Sequence, residues 1–272
     1  MTGTSKIIVL TDLHLRAGGK TIIGLDPTAR FEAAYGAALA DHGDAAALVI
    51  MGDLTHSGRA EEFAILRDTL KTCPLPVLLM LGNHDDRPVF RAAFPDHPAT
   101  RAGHVQQIMD LPHHRLITLD SHEASPDPVH SGALCDARLS WLDEALAGAG
   151  DRMPLVFVHH PPFETGLPGM DAIRLMNGGD LLDRLRPTGA HLFCGHIHRT
   201  ISGQAGGVPF TMFKSTCHQA PLDLHDPDCT LSTAEPGAYG LLWLTPDGVV
   251  AHSEDVGLDM TAISATDALP EA

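Results

Sequence analysis

Val77-Leu78-Leu79-Met80-Leu81-Gly82-Asn83-His84-Asp85 is an apolar run that passes without a break into residues able to hold a metal. Four other stretches follow the same plan. They are Ile7 to Leu10 before Asp12-Leu13-His14, Ala47 to Met51 before Gly52-Asp53, Leu155 to Val158 before His159-His160-Pro161-Pro162, and His191 to Cys194 before Gly195-His196-Ile197-His198. Short aliphatic runs separated by helical patterns predict buried parallel strands. Five strands ending on one edge of a sheet bring their following loops together, and the carboxyl edge of an open α/β sheet is where ligands bind. The pattern predicts a two-metal hydrolytic site.

Working outward, the chain has 272 residues, 44% apolar and 19% charged, which suits a globular protein with a sizeable core. No stretch reaches the roughly 18 apolar residues of a membrane span. Met1 to Lys6 runs into a strand without a signal-like apolar region, so a cytoplasmic location is expected. The net charge of −16 argues against nucleic-acid polymers and anionic membranes as partners. Cys73, Cys135, Cys194, Cys217 and Cys229 have no C-x-x-C spacing. A Cys217–Cys229 bridge would close a short loop, but an odd count fits a reducing compartment better. Eighteen histidines are the unusual feature of the composition.

In chain order, Asp26-Pro27-Thr28 opens a helix from about Ala29 to Ala40, stopped by Asp41-His42-Gly43. A second helix is expected after Gly52-Asp53, with Ser57 as N-cap and Ala60, Phe63, Ala64, Leu66 and Leu70 as its apolar stripe. Pro88 to Phe94 reads as a short helix, Val105 to Met109 with Arg115 to Leu119 as a hairpin, and Asp136 to Leu146 as a helix. Asn177-Gly178-Gly179-Asp180 should cap a helix over Leu181 to Leu185. Val208 to Lys214 reads as a strand, and Tyr239 to Leu244 should pair with Val249 to Ser253 across Thr245-Pro246-Asp247-Gly248. One domain over 1–272 is expected. Its core would be about 6–215 and 237–253, with a lid or partner-contact insertion at about 216–236 and a loose acidic tail at 254–272.

Two carboxylates, one amide and four imidazoles suit two borderline divalent cations such as Fe, Mn, Zn or Co. Asp12 and His14 would grip one ion with His198, Asp53 would bridge, and Asn83, His159 and His196 would complete the other. Such ions sit about 3.5–4 Å apart and share a water whose pKa falls toward about 7. Two divalent ions against two carboxylates leave the site positive within an acidic chain, which favours a phosphate-bearing substrate. His84, beside Asn83, is available to protonate a leaving alkoxide or to hydrogen-bond the phosphoryl oxygens.

Each motif also has an ordinary reading. A single D-x-H occurs by chance, and isolated histidines are mostly surface or structural residues. His42, His56, His97, His104, His113, His114, His122, His130, His191, His225 and His252 are taken that way. His159 rather than His160 is expected as the ligand of its H-x-P segment, His218 stands at the start of the lid where it would touch substrate, and Asp85 and Asp86 are read as caps of the short helix.

As a set, Asp12-x-His14, Gly52-Asp53, Gly82-Asn83-His84-Asp85, His159-x-Pro161 and Gly195-His196-x-His198 resemble the calcineurin-like metallophosphoesterases over about residues 6 to 220. The resemblance implies an α/β fold, a four-layer αββα sandwich of two mixed sheets flanked by helices. It places Asp12, His14, Asp53 and His198 on one metal, Asp53, Asn83, His159 and His196 on the other, and His84 beside the substrate. Gly52-Asp53-Leu54-Thr55, Asn83-His84-Asp85-Asp86, Gly169 to Ile173, Asn177-Gly178 and Cys217 to Pro221 are similar to the class III cyclic-nucleotide phosphodiesterases and bacterial glycerophosphodiesterases. That branch implies hydrolysis of small phosphodiesters by in-line attack of a metal-held hydroxide, and a homo-oligomer, dimer or larger. Glycerophosphodiesters are the leading expectation and 3′,5′-cyclic AMP the alternative. A non-catalytic scaffold of the same fold is the remote one.

Overall fold

A computed structural model describes residues 3–258. In chain order the strands are β1 (Ser5–Leu10), β2 (Ala47–Met51), β3 (Val77–Met80), β4 (Gln107–Asp110), β5 (His114–Leu119), β6 (Met153–Val158), β7 (His191–Cys194), β8 (Ile201–Ala205), β9 (Val208–Met212), β10 (Ala238–Thr245) and β11 (Gly248–Asp255). The helices are α1 (Pro27–His42), α2 (Ala60–Leu70), α3 (Arg87–Ala93), α4 (Asp136–Ala147), α5 (Pro168–Asp171) and α6 (Gly178–Leu185). None among the described residues is long and apolar enough to cross a membrane.

The strands form two mixed sheets, ordered β11-β10-β1-β2-β3 and β4-β5-β6-β7-β9-β8. The five ligand-bearing strands are therefore divided. β1, β2 and β3 run parallel in the first sheet, and β6 and β7 run parallel in the second. Periodicity alone predicted a single shared edge; the structure instead sets the carboxyl edges of two sheets against each other.

Side-chain alternation explains why both sheets are covered on both faces. Ile7, Val9, Val49 and Met51 point between the sheets against Phe157, Phe193 and Phe213. Ile8, Leu10, Leu48 and Ile50 point outward onto Phe31 of α1, Phe63 of α2 and Phe90 of α3. On the far side, Val156, Val158, Leu192 and Cys194 pack on Leu139 and Leu142 of α4 and Leu181 and Leu185 of α6. The layers are helix, sheet, sheet, helix, and a strand buried on both faces needs a continuous apolar run.

Several local expectations change. Arg59, not Ser57, is the N-cap of α2; the Glu62 side chain reaches back to accept Ser57 N at 2.9 Å and Arg59 N at 3.3 Å. Asn177 stands at the N-cap of α6 but spends its amide on Leu134, accepting from its N at 3.0 Å and donating to its O at 2.8 Å. Asp86 alone caps α3, accepting Val89 N at 2.9 Å. Strand β8 is polar and lies at a sheet edge, so it carries no apolar run, and the Gly206-Gly207 turn to β9 was its only signal. The hairpin of β10 and β11 pairs Thr245 with Gly248 as expected but extends through Asp255, which takes Lys214 Nζ at 2.9 Å. Glu254 and Asp255 thus belong to a strand, Val256 N donates to Gly237 O at 2.7 Å, and only the part of the expected tail from residue 259 lies outside the described residues.

Candidate metal centre

The loops that leave β1, β2, β3, β6 and β7 meet at the facing edges of the two sheets. Backbone bonds lock them first: Asp12 N donates to Gly52 O at 3.1 Å, His14 N to Asp53 O at 2.9 Å, and Gly195 N to His159 O at 3.1 Å. Asp12 then ties the sheets together, because its carboxylate accepts His196 N at 3.1 Å. Of the seven predicted ligands, five have positive φ: Asp12 (54°), His14 (48°), Asp53 (45°), His196 (70°) and His198 (54°). Non-glycine residues in this region are uncommon and concentrate at functional sites. Here the left-handed residues follow β1, β2 and β7, while Asn83 after β3 and His159 after β6 need none.

The result is a buried cluster of acceptors. His14 Nε2 is 3.1 Å from His198 Nε2 and 3.6 Å from Asp53 Oδ2. His198 Nε2 is 3.2 Å from Asp12 Oδ1. His159 Nε2 lies 3.4 Å from Asp53 Oδ2, 3.2 Å from Asn83 Oδ1 and 3.9 Å from Asp12 Oδ1. Gly82 is what allows this approach: a Cβ there would sit 2.2 Å from Asp53 Oδ1 and 2.7 Å from His159 Cε1. The ligand atoms of Asp12, His14, Asp53 and His198 all fall within 4.8 Å of one another, as do those of His159, His160 and His196.

Second contacts fix which nitrogen is free. His159 Nδ1 donates to Met51 O at 2.8 Å and His198 Nδ1 to His218 O at 2.9 Å. A carbonyl only accepts, so each Nδ1 carries a hydrogen and each Nε2 is the nitrogen turned toward the cluster, the one a metal would take. His196 Nε2 is buried with no hydrogen-bond partner at all. Burial opposes charge on His159, yet Asp53 and Asp12 outweigh it and raise its pKa to about 9, and Asp12 likewise raises that of His198, so without a metal these two rings carry a proton that a bound cation would replace. On His14 and His196 burial prevails and holds both rings neutral. Imidazole nitrogens converging on carboxylates, with His196 Nε2 left without a partner among them, are an arrangement that divalent cations satisfy and that protons on His159 and His198 satisfy only in part. The residues present fit a metal centre.

His160 belongs to the second cluster by distance but not by chemistry. Its Nε2 donates to His130 O at 3.1 Å, which leaves Nδ1 to accept the Ser121 hydroxyl at 2.8 Å. Both nitrogens are already used, whereas His159 keeps one free.

Around the cluster, the structure recruits residues that sequence reasoning set aside. Asp85 does not cap α3. Its carboxylate accepts Gly82 N (2.9 Å), Leu54 N (3.1 Å), Thr55 N (2.9 Å) and Thr55 Oγ1 (2.8 Å), pinning the loops after β2 and β3 together. His56 and His130, both read as surface or structural, sandwich His84: its ring stacks 5.1 Å from each, at 21° and 19°. His84 Nδ1 donates to His56 O at 2.9 Å, and His130 Nδ1 lies 3.1 Å from Asn83 Nδ2. His56 follows Asp53 in the same loop, so its position was readable; nothing in the sequence signalled His130. His218 stands with its ring 4.6 Å from His198 and 5.1 Å from His14, and burial, reinforced by His198, pushes its pKa down to about 3. A cavity of about 310 Å³ opens over His14, Asp53, Asn83, His84 and His218, at the small end of the range of about 300–1,000 Å³ for ligand sites.

The family model for calcineurin-like phosphoesterases matches residues 5–200. The chain is 40% identical over 252 residues to a protein of Rhodopseudomonas palustris named a probable cyclic nucleotide phosphodiesterase, covering 91% of each. It is 32% identical over 222 residues to the glycerophosphodiester phosphodiesterase GpdQ of Enterobacter lignolyticus, covering 76% of this chain and 77% of that one. Among solved structures, a dimetal phosphatase from Danio rerio superposes with a TM-score of 0.71 at 14% identity, over 92% of this chain and 96% of the other, a likeness of fold. The chain belongs to the calcineurin-like phosphoesterases.

Proposed function

We propose that the chain hydrolyses small phosphodiesters at a dinuclear centre. Asp12, His14, Asp53 and His198 hold one divalent cation, and Asp53, Asn83, His159 and His196 hold the other, as Fe, Mn, Zn or Co. The observation that carries this reading is the buried set of Nε2 atoms, that of His196 without a partner, gathered around Asp53 and Asp12. When bound, such a pair lowers the pKa of a shared water toward about 7 and polarises phosphoryl oxygens.

The remaining chemistry falls to the chain. His84 lines the cavity, and its Nδ1–H is committed to the His56 carbonyl, which leaves Nε2 for the substrate. In its charged form Nε2–H donates the proton that the leaving alkoxide needs. Asn83 and His218 are the other substrate contacts. Replacing His84 by alanine should lower kcat about 10²–10⁴-fold while KM and metal content hold. Steady-state kinetics with metal analysis checks this, and a kcat within a few-fold of wild type would remove His84 from the reaction.

Residues 216–236 act as a lid. Cys229, Thr230, Leu231 and Ser232 reach the cavity, and Gln219 and Thr233 clamp the base of the segment, N to O at 3.1 and 2.7 Å. Glycerophosphodiesters are the leading substrates and cyclic nucleotides the second reading, which the likeness to the R. palustris protein favours. Assays of the metal-loaded protein on glycerophosphocholine, cAMP and bis(p-nitrophenyl) phosphate separate the two; silence on all three refutes both. A cytoplasmic homo-oligomer that acts on neither membranes nor nucleic-acid polymers completes the proposal.

A further inference from the structure

The cavity above the cluster is not lined by polar groups alone. Beside the histidines, Asp53, Asn83, Thr230 and Ser232, its lining includes Ile22, Ile23, Met170, Ile173 and Leu231. Ile23 is the unusual member. Ile22 N donates to Leu25 O at 2.9 Å and Leu25 N to Ile22 O at 2.8 Å, closing a two-residue turn. Both residues inside it have positive φ, 46° at Ile23 and 83° at Gly24. Positive φ at both central positions defines a type I′ turn, whose first position favours Asn, Asp or Gly. A β-branched residue there is an outlier that the surrounding structure must hold in place.

Burial does not compensate for that strain, since Ile23 is 52% exposed. Asparagine would serve the turn better and solvent equally well. Strain and exposed apolar surface therefore coincide on a side chain that lines the metal cavity. What would cover it is something bound there.

We propose, building on the phosphodiesterase reading, that Ile23 is a specificity-determining residue for the ester group of the substrate. With phosphorus over the metal cluster, the ester group lies along the Ile22–Ile23 side of the cavity. An aromatic or other apolar group gains by leaving water against that wall and a glycerol or choline group gains little, so of the two substrate readings above, this wall favours the nucleotide one. Aryl esters and nucleobases share the required chemistry.

The test measures binding of phenylphosphonate and methylphosphonate by calorimetry to the Mn²⁺-loaded full chain as wild type, Ile23→Asn and Ile23→Leu, with the Tm of each. Wild type should prefer phenylphosphonate. Ile23→Asn should weaken that ligand about tenfold, the low end for loss of an apolar contact of this size, and leave methylphosphonate unmoved. Its Tm should hold or rise, because asparagine suits the turn. Ile23→Leu, which keeps the bulk without the β-branch, should retain the preference. The assignment is overturned by absence of a phenyl preference in wild type, by equal change or no change of both ligands in Ile23→Asn, or by a fall in its Tm. Turnover of bis(p-nitrophenyl) phosphate by the same preparation tests the phosphodiesterase reading separately. An inactive protein with an intact, Ile23-dependent phenyl preference would lose that reading and keep this one.

Discussion

Asp53→Asn is expected to abolish turnover while leaving the fold in place. Its Oδ2 lies 3.6 Å from His14 Nε2 and 3.4 Å from His159 Nε2, so it stands between the two halves of the cluster. Its Oδ1 accepts His84 N at 2.8 Å, which also sets the loop that carries Asn83. Asparagine has the same volume and is among the few residues that tolerate a left-handed φ, here 45°. Only the negative charge is lost. Metal-based stabilisation of the reacting centre is worth several kcal/mol, and each 1.36 kcal/mol is tenfold, so kcat/KM should fall by about a thousandfold or more. Elemental analysis should find fewer than two metals per chain, with an unchanged circular dichroism spectrum. Two retained metals with activity within about tenfold of wild type, under 1.4 kcal/mol, would show that Asp53 does not bridge.

That prediction rests on residues legible in the sequence, and the reason is chemical. A strand that must end at a metal is an apolar run followed at once by a ligand, so the signal is contiguous at Leu10–Asp12, Met51–Asp53 and Leu81–Asn83. How those strands divide between two sheets was not legible, because a run buried on both faces does not name its neighbours. Asp85 was misread for a related reason. Its nearest helix offered a cap, but the loop after β2, about thirty positions earlier, presented three donors that outcompeted it. His130 reached the site on a segment with no strand behind it, and Ile23 hid as ordinary apolar content in a turn whose usual residues it lacks. Periodic patterns mark what every fold of this class must repeat. Single-residue positions that shape the cavity leave no period.

The largest loss of stability should come from a residue outside the cluster. Asp120, at the end of β5, is fully buried and accepts Arg87 Nε at 2.7 Å and Nη2 at 2.9 Å. It also takes Val105 N at 2.9 Å and His122 N at 3.1 Å. Arg87 begins α3 directly behind Asn83-His84-Asp85-Asp86, so this ion pair anchors the metal loop of the first sheet to a strand of the second. Asp120→Ala strands a largely buried guanidinium and orphans two backbone N–H groups. Removing one partner of such a pair costs about 3–5 kcal/mol. For a chain of this size that is a fall in Tm of roughly 10 °C, readable by calorimetry. Asp120→Asn should lose less, since the amide oxygen still accepts. Adding Arg87→Leu to Asp120→Ala should recover part of the loss, because the uncompensated charge goes with it. If the double variant is instead less stable than Asp120→Ala alone, the guanidinium is not what the carboxylate is there to neutralise. The pair would then act through packing, and the metal loop would owe its position to Asp85 and the backbone bonds of β1 and β2.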